Sequence, residues 1–172
     1  MENLISQVRA VLLTTPVRWL NLTDMIPEEM LARPAAPGEW SALGCLSHML
    51  DTEIHVFRPR VRALLAGQDF PAFDPDNEGT DYTGQSPSGI ATDFARQRAE
   101  NLGLLYRIAE SDLARTVRHA ELGPVTLSQQ LHEWAAHDLM HTVQAERALM
   151  QPFIAGCGSW RHYFADHDLH GE

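Results

Sequence analysis

The last third of the chain carries its strongest pattern. Leu127, Gln130, Leu131, Trp134, His137, His141, Ala145 and Ala148 recur every three or four residues, which places them on one buried stripe of an amphipathic helix. Thr126 followed by Gln129 is a capping-box arrangement that opens this helix, and Pro152 predicts an end near Met150. At the other end of the chain, Leu4, Ile5, Val8, Val11, Leu12, Trp19 and Leu20 predict a first helix broken near Pro16. Pro27, Pro34 and Pro37 mark a connector with at most one helical turn around Glu28 to Leu31. From Trp40 to Leu65 the pattern is helical again, with Ser41 as N-cap and Gly67 as stop. Its apolar stripe is Leu43, Leu46, Leu50, Ile54 and Phe57, and Pro59 is expected to kink it or loosen a turn.

Residues 68–86 are rich in Pro, Gly, Asp and Asn and read as a long loop, a length usually tied to function or mobility. Ser86-Pro87 supplies a cap and a first-turn proline for a third helix through Ile90, Phe94, Gln97, Asn101, Leu105 and Ile108. No stretch alternates convincingly as a strand and hairpin, and no repeat is visible. The expectation is an all-α fold, a four-helix bundle with long connections over residues 1–150, followed by a tail at 151–172.

Composition narrows the function classes. With 172 residues the chain can bury a real core in one domain. A formal net charge of −10 argues against nucleic acid, whose phosphates need a basic face. The clustered Arg58, Arg60 and Arg62 read as a solvated helix end. The chain lacks an apolar run of about 18 residues and begins unlike a signal peptide, so a membrane span is not expected. Two distant cysteines, Cys45 and Cys157, make no disulfide framework and point to reducing cytoplasm.

The chemistry lies in the histidines. His137 and His141 are one helical turn apart and can face one metal ion. Two ionisable rings in a core register need partners, and a shared cation is one way to supply them. A catalytic site of the zinc type takes three protein ligands and keeps a position open, which makes His48 the candidate third. His48 falls opposite the apolar stripe of its helix, beside Ser41, Cys45 and Thr52, so it faces either a cavity or solvent. His132 lies about 140° from His137 around the helix and cannot share its metal. His119 reads as a surface histidine, and Cys45 as a small core residue. Asp138 either orients an imidazole or pairs with an arginine, and Gln144 either meets substrate or bonds another helix. Trp134 is expected in the core.

The stretch from Trp40 to Glu53, the loop from Phe70 to Tyr82 and above all Gly123 to Gln144 resemble the DinB/YfiT-like family of small bacterial four-helix proteins. That family's pattern is a histidine early in the second long helix and His-Asp-x-x-His in the last. Here these fall on His48, His137-Asp138 and His141, and the resemblance spans roughly residues 1–150. It implies one divalent metal held by His48, His137 and His141. It also implies either hydrolysis or thiol transfer on a small molecule, the latter using a low-molecular-weight thiol as co-substrate.

Three neutral imidazoles leave a metal its full charge, so a water or thiol beside it loses its proton near neutral pH. Both reactions use the same protein residues. Imidazoles suit zinc, nickel, iron and copper alike, so the metal is not specified. The rival is a non-catalytic bundle that binds a small ligand or protein, with structural metal or none. No Gly-x-Ser-x-Gly elbow, phosphate-binding loop or dinucleotide fingerprint is present. The last helix has a second apolar face, Ala136, Leu139, Met140 and Val143, which predicts cover by the aromatic, histidine-rich tail or by a second subunit, with a homodimer favoured.

Overall fold

The structure, a computed structural model, describes residues 3–74 and 79–170. Residues 75–78 of the expected loop, and residues 1–2 and 171–172 of the expected bundle and tail, lie outside the described residues. Helix α1 spans Leu4–Met25, capped by Asn3, whose side chain accepts from the Ser6 amide at 2.9 Å. It is not broken at Pro16. The proline cannot donate to the Leu12 carbonyl four residues back, and that freed acceptor takes a hydrogen bond from Arg98 Nη1 at 3.0 Å instead. A single turn, α2 (Glu28–Leu31), follows in the connector.

Helix α3 (Ala42–Thr52) starts at the Ser41 cap, runs without interruption into a π-helical turn, Glu53–Phe57, and continues as α4 (Arg58–Ala66) to Gly67, whose φ is +69°. The effect expected of Pro59 is thus taken up in the turn before it. The wider turn changes which residues face inward. Ile54, expected in the apolar stripe, is turned outward, while Glu53 is 0 % exposed. Helix α5 (Pro87–Leu105) is capped by Ser86 as expected. Helix α6 (Leu127–Gly156) opens on the Thr126–Gln129 capping box. It passes through Pro152, beyond the end expected at Met150.

The expectation of no strands is also corrected. Thr116–His119 (β1) and Gly123–Thr126 (β2) form an antiparallel hairpin with Val117 opposite Val125. Strands of four residues offer only two inward positions, Val117 and His119 here, too few for alternation to stand out. The Phe70 amide donates to the Arg118 carbonyl at 3.2 Å, tying the start of the long loop to this hairpin.

Helices α1 and α3 each pack against both α5 and α6, so α1 and α3, like α5 and α6, occupy opposite corners of the bundle and are joined by long connections. The core divides into two apolar tiers. One gathers Leu12, Phe57, Val61, Leu131 and Trp134, and the other Trp19, Leu46, Met49, Phe94 and Ala145. Between them lies a buried polar layer. Arg98 binds Asp138 through two hydrogen bonds, at 2.6 and 2.8 Å, and Glu53 through Nε at 2.8 Å. Trp134 Nε1 donates to Glu53 Oε1 at 2.8 Å and Asn101 Nδ2 to Glu53 Oε2 at 2.6 Å. Desolvation pushes the Glu53 carboxyl up, against the pull of Arg98 and Asn101, whose donors suit the ionised form. Such a layer adds little net stability over an apolar one, but removing one partner is costly because the others stay buried.

Candidate metal centre

The three sequence-selected histidines converge. His48 from α3 and His137 and His141 from α6 each present a ring nitrogen, and these atoms lie within 4.8 Å of one another. His48 Nε2 and His137 Nε2 are 3.1 Å apart. Two nitrogens bound to one metal at about 2.0–2.1 Å and near-tetrahedral or square angles would be roughly 2.9–3.4 Å apart, so this pair fits a shared ion. His141 Nδ1 sits 2.9 Å from Gln144 Oε1. The carbonyl oxygen can only accept, so Nδ1 carries the proton and Nε2 keeps its lone pair free for a cation. Gln144 therefore bonds an imidazole on its own helix and not another helix, and it also lines a cleft beside the cluster.

All three rings are held neutral, the form that binds metal. Burial lowers the pKa of His48 to about 4, helped by the neighbouring His141 and opposed by Asp51. Burial lowers that of His137 further, to about 2, with His141, His48 and Arg98 acting in the same direction. His141 is lowered by burial too, against its bond to Gln144. His137 Nδ1 is buried and has no hydrogen-bond partner. The Phe57 ring packs edge-on against His137 with centroids 5.0 Å apart, and Phe57 stacks in turn on Trp134 at 5.0 Å, which fixes the floor of the site.

Trp40 closes the other side. Its ring lies 4.8 Å from that of His48 and stacks on His141 at 5.6 Å. Two clefts flank it. One of about 500 Å³ reaches His141 and Gln144, and one of about 490 Å³ reaches His48 and Asp51. The buried Asp51 accepts from the Thr80 amide at 2.9 Å and from the Tyr82 hydroxyl at 2.8 Å, so it anchors the end of the long loop beside His48. The site can thus offer a metal three protein ligands with solvent-connected space on two sides, an arrangement suited to reaction rather than to closed structural binding.

Asp138 pairs with Arg98 and does not touch an imidazole as an acceptor, which decides between its two expected roles. Trp134 is fully buried, and Cys45 is buried with its thiol pushed up to about 12 by desolvation, as a core residue should be. His132 is exposed, with Nδ1 2.8 Å from the Ser128 carbonyl oxygen. His119 is not on the surface: it is buried in the hairpin, where Nδ1 accepts from the Glu121 and Leu122 amides at 3.1 and 3.3 Å. Sequence reasoning missed Arg98, Glu53, Asp51 and Trp40. The polar Gln97 and Asn101 inside an otherwise apolar stripe were the available sign of the buried layer. Leu139, Met140 and Val143 are 49 %, 55 % and 57 % exposed, so the tail leaves them largely uncovered. No helix among the described residues is long and apolar enough to cross a membrane.

Comparison with curated proteins finds no match. Among solved structures, the chain is similar to YfiT from Bacillus subtilis, described as a probable metal-dependent hydrolase with an unusual four-helix bundle topology. The two share 19 % identity over 84 % of this chain and 85 % of that one, with a TM-score of 0.72, a likeness of fold. The family model of the DinB superfamily matches residues 12–145. With that match across most of its length and a bundle of the same architecture, the chain belongs to the DinB superfamily.

Proposed function

We propose that this protein is a metal-dependent hydrolase in which His48, His137 and His141 hold one divalent transition metal. The observation that carries the proposal is the convergence of three neutral ring nitrogens within 4.8 Å at the junction of two clefts. A divalent ion bound there supplies Lewis acidity, polarising a substrate and lowering the pKa of nearby water. The protein's own residues do the rest. Gln144 fixes the His141 tautomer, Phe57 packs against His137, and Trp40 separates the two approaches. The Glu53–Arg98–Asp138 layer holds α3, α5 and α6 in register beneath the ligands.

The test is the metal content of untagged full-length protein whose tail histidines are replaced (H162Q/H167Q/H170Q), beside the same protein carrying H48A/H137A/H141A. About one metal per chain, lost in the variant, is expected. The loaded protein is then assayed on ester and amide substrates with and without added glutathione or another small thiol. Turnover that needs no thiol supports hydrolysis, and turnover only with thiol makes the reaction S-transfer. Absence of metal in both proteins after supply of zinc, nickel and iron refutes the proposal. Leu139 and Ala136, exposed on α6 outside the lining of the cleft, support a homodimer through that side of the helix. Sedimentation of the native protein is expected to give a dimer that L139E converts to monomer.

A further inference from the structure

The two clefts beside Trp40 differ in charge, and the difference speaks to the ligand. The cleft on the His48 side is lined by Asp51, Asp81 and Glu39, a carboxylate-rich wall with no lysine or arginine among the described residues. The cleft on the His141 side is lined by Trp40, Met140, Val143 and Leu169, with Arg147 at its far end. Glu39 stands exposed on the rim shared by both, where solvent and salt screen it. The guanidinium of Arg147 meets only neutral partners. Its Nε donates to the His167 carbonyl at 3.2 Å and its Nη2 to the Asp166 carbonyl at 3.3 Å, and among the described residues no carboxylate pairs with it. Two long bonds to carbonyl dipoles leave a full positive charge uncompensated at the edge of an apolar cleft, with Nη1 unengaged by any described residue.

Spacing along α6 sets a ruler. Met140, Val143, Gln144 and Arg147 fall on one face at helical intervals, and His141 lies roughly 9 Å from Arg147 along the axis and about 120° around it, at the other end of the cleft that both line. That matches an extended chain of roughly six to eight carbon–carbon bonds. The tail supplies the opposite wall: the Leu169 amide donates to Gln151 Oε1 at 3.0 Å, and Gln151 Nε2 donates to the His167 carbonyl at 2.9 Å. These bonds seat Leu169 over the cleft.

We propose that the His141-side cleft binds a small amphipathic organic anion, its carboxylate on Arg147, its apolar chain along Trp40, Met140, Val143 and Leu169, and its other end at the histidine cluster. This rests on the metal-dependent reading for what happens at that far end, but not for the binding itself. The probes are octanoate and its neutral isostere octanamide, titrated by calorimetry into the native protein, R147Q and R147K, with metal content measured on the same preparations. Octanoate is expected to bind about tenfold tighter than octanamide to the native protein, R147Q to bring the two within about twofold, and R147K to keep most of the preference. Equal binding of the two probes by the native protein overturns the proposal. So does a preference that survives R147Q, since the carboxylate would then be held elsewhere, for instance by the metal. An Arg147-dependent preference in protein that holds no metal would keep the anion cleft and remove only the hydrolase reading.

Discussion

Replacing Arg98 with methionine isolates the buried polar layer. The side chain is 1 % exposed and serves three acceptors: the Asp138 carboxylate, the Glu53 carboxylate and the Leu12 carbonyl that Pro16 leaves without its helical partner. Methionine fills similar volume but donates nothing, so two buried carboxylates lose their counter-ion. Breaking a buried ion pair from one side costs about 3–5 kcal/mol, a large share of the roughly 5–15 kcal/mol that holds a domain together. The loss should depend on pH with a definite sign. Burial already raises the Glu53 carboxyl, and without Arg98 it rises further, so the folded variant binds more protons than the unfolded chain. Stability of the variant relative to the native protein then improves as pH falls, by at most about 1.4 kcal/mol per unit for one group. His137 works in the same direction, because Arg98 helps to hold its pKa down. Urea unfolding of both proteins at pH 7.5 and 5.5, at matched metal load, measures the difference. A deficit below about 1 kcal/mol at pH 7.5, or one that fails to narrow at pH 5.5, refutes the account; if R98M does not fold, R98Q, which also removes the charge but keeps amide donors, replaces it at the same two pH values.

Truncating Gln144 to alanine is expected to weaken metal binding about 10- to 100-fold while leaving the melting temperature of the metal-free protein nearly unchanged, measured by competition with a chelating dye. The metal-free protein should lose stability as pH falls below about 6.5, because the unfolded chain takes up protons on histidines that the folded state keeps neutral, and the loss should continue toward pH 4, where His48 itself titrates. Melting temperatures across that range that stay flat would contradict the burial assigned to the cluster. Iodoacetamide should modify Cys157 in the folded protein and reach Cys45 only on unfolding, since the Cys45 thiol is buried and held up to about 12; peptide mapping distinguishes the two.

Periodicity was a good guide wherever a single face decides the outcome. The four long helices, the caps at Ser41, Ser86 and Thr126, and the α6 stripe through Trp134 and His141 follow from one-dimensional spacing because each is a local property. The histidine cluster was legible for a different reason, the resemblance of its short motifs, in their order and spacing, to those of a known family. Spacing failed where a distant partner changes the local rule. Pro16 reads as a helix break until Arg98, far along the chain, accepts responsibility for the Leu12 carbonyl. Ile54 reads as core until the π-turn rotates it outward, and the two readings of Asp138, imidazole orienter or arginine partner, separate only when Arg98 appears beneath it. The hairpin at 116–126 escaped because its strands are shorter than the window over which alternation can be recognised.

The π-turn at Glu53–Phe57 also has a bearing on how this scaffold can be altered. A continuous α-helix couples its two ends rotationally, so every residue inserted or removed swings one end by about 100° relative to the other. Here the extra residue has already been spent between the segment that aims His48 and the segment that anchors Val61 and Leu64 in the far tier. Deleting one residue within 54–57 would restore regular winding with His48 nearly where it is, because a π turn holds about one residue more than an α turn for the same rotation, whereas adding a residue between His48 and the turn would swing His48 out of the cluster. The turn is therefore a one-residue buffer between the ligand-bearing and anchoring halves, a place where chain length can be taken out with both halves kept in register.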